Sequence, residues 1–169
     1  MKAGEGYVIF CEDIRAEAAG RSTIVGVFSE DIIFSSDFPN TMPKLGVQSN
    51  VYVDALALPN NMTLRVEASW QEEPVAELEI DLSDEIKEHM LDDYPSRYPR
   101  DPLSTFDSVP RILSIVTVFP LFEVPQQGML RVVCNYDGSE YLLGRKLIRA
   151  AAASRSEEQS DESESILIE

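Results

Sequence analysis

The sequence predicts a mainly all-β protein, an antiparallel β-sandwich of immunoglobulin-like or C2-like layout with about seven or eight strands and one short helix. Three observations predict it: apolar and polar residues alternate with a period of two, turn-forming residues separate the apolar runs, and an Asp-Gly pair joins two β-rich segments. With 169 residues, of which 44% are hydrophobic, the chain suffices for one domain with its own core. A closed barrel is the main alternative.

Two hairpins are the clearest elements. Residues 64–70 alternate apolar and polar side chains, and after a turn residues 76–80 alternate apolar and acidic ones. This pattern predicts a hairpin with one face on the core and one acidic face in water. In the second hairpin, Asp137-Gly138 separates the β-rich runs 131–134 and 141–143 and supplies the positive φ angles of a tight turn.

Other strands are predicted where β-branched and aromatic residues concentrate. These segments are 6–14, 23–28 together with 32–34, 44–54, and 111–124. A short loop at 18–21 joins the first two of them. Gly144 lies inside the last predicted strand, where a glycine indicates a β-bulge or the close approach of another backbone.

One helix interrupts the strands. Ser83 is placed to cap it, and Asp84-Glu85 complements the positive end of the helix dipole. Ile86 and Met90 are four residues apart, which puts them on one face of about two turns packed against a sheet. The helix should end before Pro95, because the residue preceding a proline avoids the α conformation.

A long connection, residues 92–110, follows the helix and contains four prolines. Loops longer than about 12–15 residues are uncommon in compact domains and are often functional. Its aromatic and basic side chains make it the first candidate for a partner-binding surface, through Tyr94, Arg97, Tyr98 and Arg100.

The segment 154–169 differs in composition from the β domain predicted for 1–153. It carries one arginine against six acidic residues, a net of −5 that leaves −11 for the rest of the chain. Because serines fill most of the remainder, the segment is predicted to be a disordered acidic tail. It ends in an apolar tip, Ile166, Leu167 and Ile168, which we expect to add as a strand to a partner's sheet or to dock on the domain itself.

The charge restricts the classes of partner. A formal net charge of −16 repels phosphate backbones and anionic lipids, so neither nucleic acid nor a membrane is expected as a partner, whereas a basic protein is. No signal peptide or membrane-spanning run is recognisable. Cys11 and Cys134 lie in strand-like runs and are expected to be buried, reduced thiols, which fits a cytoplasmic protein.

No catalytic, metal or cofactor site is predicted. His89 is the single histidine, and we expect it to be an exposed residue of the short helix. Four charged residues, Glu12, Asp13, Arg15 and Glu17, follow a hydrophobic run, and Arg15 should pair with a carboxylate at a strand end. The acidic loops lack the spacing of a calcium-binding loop, and the glycines form no phosphate-binding motif.

The opening of the chain resembles a family of uncharacterised bacterial and phage-associated proteins. The residues that carry the likeness are 11–15, Glu17, Gly20-Arg21 and 23–28, with a weaker likeness at 38–45. It covers about the first third of the chain, and the long proline-rich connection and the acidic tail are not part of the family's pattern. The resemblance implies an antiparallel sandwich in a cytoplasmic protein of bacterial or phage origin, and it implies no activity.

The sequence therefore predicts a non-enzymatic protein-interaction module that binds through the long connection, the tail, or both. Three alternatives stay open: an acidic decoy that imitates nucleic acid, a phage structural subunit, and a hydrolase that works through carboxylates or a metal.

Overall fold

The computed structural model describes residues 2–18, 21–82, 84–92 and 107–151. These residues form two β-sheets and one helix. The strands are β1 Gly6–Ala16, β2 Ser22–Val27, β3 Ile32–Phe34, β4 Asn40–Asp54, β5 Asn61–Ala68, β6 Ala76–Asp81, β7 Pro110–Val124, β8 Gly128–Tyr136 and β9 Ser139–Ala150, and the helix α1 runs Asp84–Asp92.

The strands form a sandwich, as predicted. The described residues contain nine strands where about seven or eight were predicted, because the segments 23–28 and 32–34 are separate strands in different sheets. Sheet A has the order β2-β1-β4-β7, and sheet B has the order β3-β9-β8-β5-β6. Every ladder within the described ranges is antiparallel except the short one between β3 and β9, which is parallel. The first strand lies beside the fourth and the third beside the ninth, so the sheets are built from strands distant in sequence.

The core lies between the sheets, where alternate residues of each strand point inward. In β5 the predicted inward residues Leu64, Val66 and Ala68 are all buried, and the residues between them are only partly so. Strand β8, at the centre of sheet B, contributes Leu130 and Val132 to the same core. This confirms the core face predicted from the period-two pattern.

The segments 23–28 and 32–34 belong to different sheets. The first is the edge strand β2, paired with β1, whereas the second crosses to sheet B as β3. Ile32 is buried and lies opposite Ile148 of β9, so the crossing places an apolar side chain in the core.

Two glycine-dependent features of the last hairpin are confirmed. Asp137 and Gly138 have φ angles of 50° and 73°, as a tight turn between β8 and β9 requires. At Gly144 the ladder shifts register, and a Cβ there would fall on Cγ1 of Val8 in the opposite sheet. Gly144 is therefore both at a bulge and at a point where the two sheets touch.

The helix packs as predicted. Ile86 and Met90 lie against the main core, and the Arg111 Nε–H donates to the Met90 carbonyl oxygen over 3.1 Å. This bond ties the helix to the start of β7. Ser83, the predicted cap, is outside the described residues.

The outer face of sheet B is polar and cross-linked by ion pairs. Arg65 Nε is 3.2 Å from Glu67 Oε1, and its Nη2 is 3.0 Å from Glu140 Oε2. Arg131 adds a third contact, of 2.9 Å, to Glu67. The hydrogen bond to Glu140, followed by the nearby carboxylates, raises the pKa of Arg65. Opposite charges in adjacent strands suit a sheet face that meets water.

Both cysteines are buried free thiols, as predicted. The Cys11 Sγ–H donates to the Gly46 carbonyl oxygen over 3.5 Å. Burial raises the pKa of Cys134 to about 11, and burial is also the main cause of the raised pKa of Cys11.

We expect neither thiol to react with a disulfide reagent in the native protein at neutral pH, since the thiolate is the reactive form. Both should react once urea unfolds the chain, so the reaction monitored by absorbance should follow the unfolding curve. Rapid modification of either thiol in the folded protein would contradict this placement.

Candidate functional site

The partner-binding residues predicted from the sequence lie outside the described residues. They are Tyr94, Arg97, Tyr98 and Arg100 in the long connection and Ile166, Leu167 and Ile168 at the end of the tail. The tail, 154–169, lies outside them too. These residues therefore stay a prediction, and the candidate site that the structure does describe consists of other residues.

Two of the smaller sequence predictions are confirmed. The side chain of His89 is 88% exposed, with Nδ1 3.7 Å from Asp92 Oδ2. Arg15 Nε lies 3.1 Å from Asp13 Oδ2, and Lys44 Nζ lies 2.8 Å from the other oxygen of that carboxylate. The hydrogen bond from Lys44, followed by that from Arg15, lowers the pKa of Asp13. This cluster ties β1 to β4.

One open concavity of the described residues has several apolar walls, and we call it the Trp70 groove. It has a volume of about 360 Å³ and lies between the β5–β6 turn and the end of β7. Its apolar walls are Trp70, Val75, Phe119, Leu121 and Phe122. A second cleft of about 440 Å³ adjoins it and shares Trp70 with it.

Hydrogen bonds of the turn hold Trp70 in place. The Gln71 N–H donates to the Ala68 carbonyl oxygen over 3.3 Å, and the Ser69 N–H donates to Met129 of β8 over 2.9 Å. The Trp70 ring stands edge-on to Phe122, with ring centroids 6.5 Å apart, and Phe119 lies 5.5 Å from Phe122 in a similar arrangement. Such edge-to-face contacts stabilise aromatic clusters beyond the area they bury. The floor of the groove is thus fixed before a ligand arrives.

Leu121 has an unusual backbone conformation. Its φ is +61°, in the left-handed region that residues other than glycine rarely adopt. The β4–β7 ladder omits the pair Pro43 and Leu121, although it pairs the residues on both sides. In a regular strand, residues three positions apart face opposite sides of the sheet. Phe119 and Phe122 nevertheless both face the core, so the inward and outward positions exchange at the left-handed residue between them.

As a result, the Leu121 side chain is 68% exposed and forms one wall of the groove. A leucine in this conformation costs roughly 1–2 kcal/mol compared with a regular strand residue. Residues held in sparsely populated backbone regions cluster at active sites and ligand-binding sites, so Leu121 marks this end of β7 as a candidate site.

The rim of the groove is acidic. Glu123 lines both clefts, and neither cleft has a lysine or arginine among its lining residues. Glu72 and Glu73 follow Gln71 in the same turn and are exposed. The groove therefore has an apolar floor and a negatively charged border.

Other concave regions have a different character. A cavity of about 660 Å³ near the β8–β9 turn is mostly polar, and Asp137 is the one ionisable residue among those that line it. In the described part of the chain, no group of three or more His, Cys, Asp or Glu side chains is arranged to hold a metal ion. None of the described helical residues forms a helix long and apolar enough to cross a membrane.

Comparison of the chain with protein-family models, with curated proteins and with solved structures gave no match. The Trp70 groove is the feature of the described residues from which a function can be proposed.

Sequence reasoning missed this groove. Trp70 was predicted as an inward residue at the end of a regular strand, and Leu121 as one apolar residue in a long β-rich run. The one local signal is Pro120 directly before Leu121, since a proline within a strand indicates an edge or an irregularity.

Proposed function

We propose that this protein is an interaction module whose Trp70 groove binds an apolar side chain of a partner protein with basic flanking residues. The observation that carries the proposal is Leu121, a mostly exposed leucine held at the wall of a pre-formed aromatic groove by a left-handed backbone.

The shape of the groove favours an anchor residue. A volume of about 360 Å³ is at the lower end of the range for small-molecule sites, and it suits one or two large side chains. A few buried anchors, most often aromatic residues or arginine, supply most of the affinity at protein interfaces. An apolar anchor placed between Trp70 and Leu121 would also cover the exposed leucine.

The negative charge of the rim determines which partner residues are preferred next to the apolar anchor. Glu123 beside the groove and Glu72 and Glu73 in the turn favour lysine or arginine next to the anchor. Such surface charges act mainly on the association rate and on specificity, and salt weakens them. The predicted partner is therefore a basic segment with one or two large apolar residues.

The test is a selection of random peptides displayed on phage against the immobilised full chain. We expect enrichment of peptides with an aromatic or aliphatic anchor beside lysine or arginine. Trp70 is the single tryptophan of the chain, so binding of a synthesised peptide should change its fluorescence directly. Added salt should lower the affinity.

Leu121→Gly is the decisive variant, because glycine accepts the left-handed backbone while the wall of the groove is removed. We expect the peptide Kd to rise roughly tenfold, as the loss of one leucine contact implies, with unfolding stability unchanged or slightly higher. Leu142→Ala, on the outer face of sheet B, is the matched control and should leave binding unchanged. Failure to enrich any common peptide, or equal binding by Leu121→Gly, would overturn the proposal.

A further inference from the structure

The four edges of the two sheets are protected to different degrees. Strand β3 has only three residues, and β2 has six, with Gly26 at a φ of 65°. Strand β6 also has six residues, of which the alternate ones are Glu77, Glu79 and Asp81. Short length, irregular backbone and charge are the usual means by which proteins keep sheet edges from pairing with another chain.

Strand β7 has none of these protections along its centre. It is 15 residues long, and no residue from 112 to 122 is charged. Among the described residues its ladder partner is β4, on one side only. On the outer face of sheet A, Ile112, Val116 and Val118 are 52%, 42% and 37% exposed.

The position of Pro120 shows which backbone groups point to the open edge. A hydrogen-bonded antiparallel pair needs an N–H from both members, so Lys44 and Pro120 must form a non-hydrogen-bonded pair of the ladder. Pro120 therefore faces the open edge with its backbone, and so do residues 112, 114, 116 and 118. Four N–H groups and their carbonyls are then directed away from β4.

These four residues are arranged symmetrically. Pro110 and Pro120, which have no N–H to donate, stand five residues on either side of Ile115. We propose that β7 pairs with β7 of a second copy of this chain, antiparallel and with the two-fold axis at Ile115. Residue 112 then pairs with 118 of the second copy and 114 with 116, so every open N–H between the prolines finds a carbonyl.

The side chains fit the same register. On the outer face Ile112 meets Val118 of the second copy, and both are apolar and partly exposed. Ser114 meets Val116 of the second copy, and its hydroxyl already donates to Asn50 Oδ1 over 2.6 Å, so this hydroxyl keeps its hydrogen bond when it is buried. On the inner face, the half-buried Leu113 and Ile115 become more buried against the side chains that lie opposite them in the second copy.

The dimer would be a continuous eight-stranded sheet made of two copies of sheet A. Pairing across a two-fold axis is the commonest form of protein assembly, and it closes the edge so that no further copy can add there. The Trp70 groove lies at and beyond the end of the paired segment, so the dimer presents two grooves. Pairing of β7 does not depend on what the groove binds.

Charge gives the dimer a distinctive salt dependence. Each copy has a formal charge of −16, while the paired segment from 112 to 118 has no charge. Salt therefore screens the repulsion between the copies without weakening an attraction, and dimerisation should become tighter as sodium chloride is added. A complex with a basic partner would respond in the opposite way.

The experiment is sedimentation equilibrium of the full chain at low and high salt, with Val116→Pro as the test variant. We expect a mass of twice 18.9 kDa for the unmodified chain, with the dimer Kd falling as salt rises. Val116→Pro removes one open N–H per copy, two interchain bonds in all, and should raise the Kd about 10- to 100-fold. The substitution copies the situation of Pro120 and leaves the ladder to β4 intact.

Two further variants separate pairing from folding. Val116→Thr keeps the N–H and the branched side chain and should dimerise normally, whereas Val116→Lys keeps the N–H but should block pairing, as edge lysines do. Circular dichroism establishes that each variant is folded. A monomer at all salt concentrations, a dimer that salt dissociates, or a dimer unaffected by both Val116→Pro and Val116→Lys would overturn the proposal. So would a chain that dimerises only after truncation at Ala153, since the tail would then be the occupant of the edge.

Discussion

Gly144→Ala should destabilise the protein by about 1–3 kcal/mol, the usual cost of forcing a methyl group into a packed interior. The new Cβ would fall on Cγ1 of Val8, at the point where β9 of one sheet touches β1 of the other. Urea unfolding monitored by Trp70 fluorescence measures the effect. Gly144→Val should be more severe, because the larger side chain cannot enter the same space.

The origin of the loss can be tested with Val8→Ala, which removes the obstructing methyl groups. We expect the double variant Gly144→Ala/Val8→Ala to be more stable than the sum of the single changes implies, by about 1 kcal/mol or more. Gly138→Ala is the control: its φ of 73° makes alanine unfavourable, but no atom lies within 4 Å of the added Cβ. Val8→Ala should therefore not rescue it, and simple additivity at Gly144 would contradict the contact.

Phe122→Ala should cost about 3–5 kcal/mol, the typical loss for a buried phenylalanine. Phe122 is buried and joins the core to the Trp70 groove through its contacts with Trp70 and Phe119. Its removal leaves a cavity at the end of the sandwich and frees the indole ring. The expected result is a lower urea midpoint together with a red-shifted Trp70 emission in the folded state.

Leu121→Gly serves as the neighbouring control, since it changes the groove without opening the core. Leu121→Gly should not lower the urea midpoint. It should also change the Trp70 emission of the free protein much less than Phe122→Ala does. A similar loss of stability in both variants would mean that Leu121 supports the fold, and the structural account of the groove would then be wrong.

The regular parts of this fold follow from local chemistry. The alternation in β5 specifies which side chains face the core, and the Asp137-Gly138 pair specifies the turn of the last hairpin, because both depend on neighbours in sequence. The amphipathic spacing of Ile86 and Met90 specifies the packing of the helix for the same reason.

Pairings between distant strands do not follow from such patterns. No residue within or next to Ile32–Phe34 indicates that this segment joins the other sheet from β2 and runs parallel to β9. Its place is determined by the position beside Ile148, which is distant in sequence. The Trp70 groove is non-local as well, because it unites a turn near residue 70 with a strand end near residue 120. A left-handed leucine cannot be read from composition either, because it coincides with a gap in the pairing of two strands that are distant in sequence.

The strand order also determines when the chain can fold during its synthesis. All four strands of sheet A have been made once residue 124 is complete, whereas sheet B still lacks β8, its centre, and β9, which holds β3. At synthesis rates of about 5–20 residues per second, the apolar inner face of sheet A stays uncovered for a few seconds, until the last two strands of sheet B are made. The domain therefore closes only after β8 and β9 have been made, and nascent chains are most exposed to chaperones and to one another in the interval before these strands emerge.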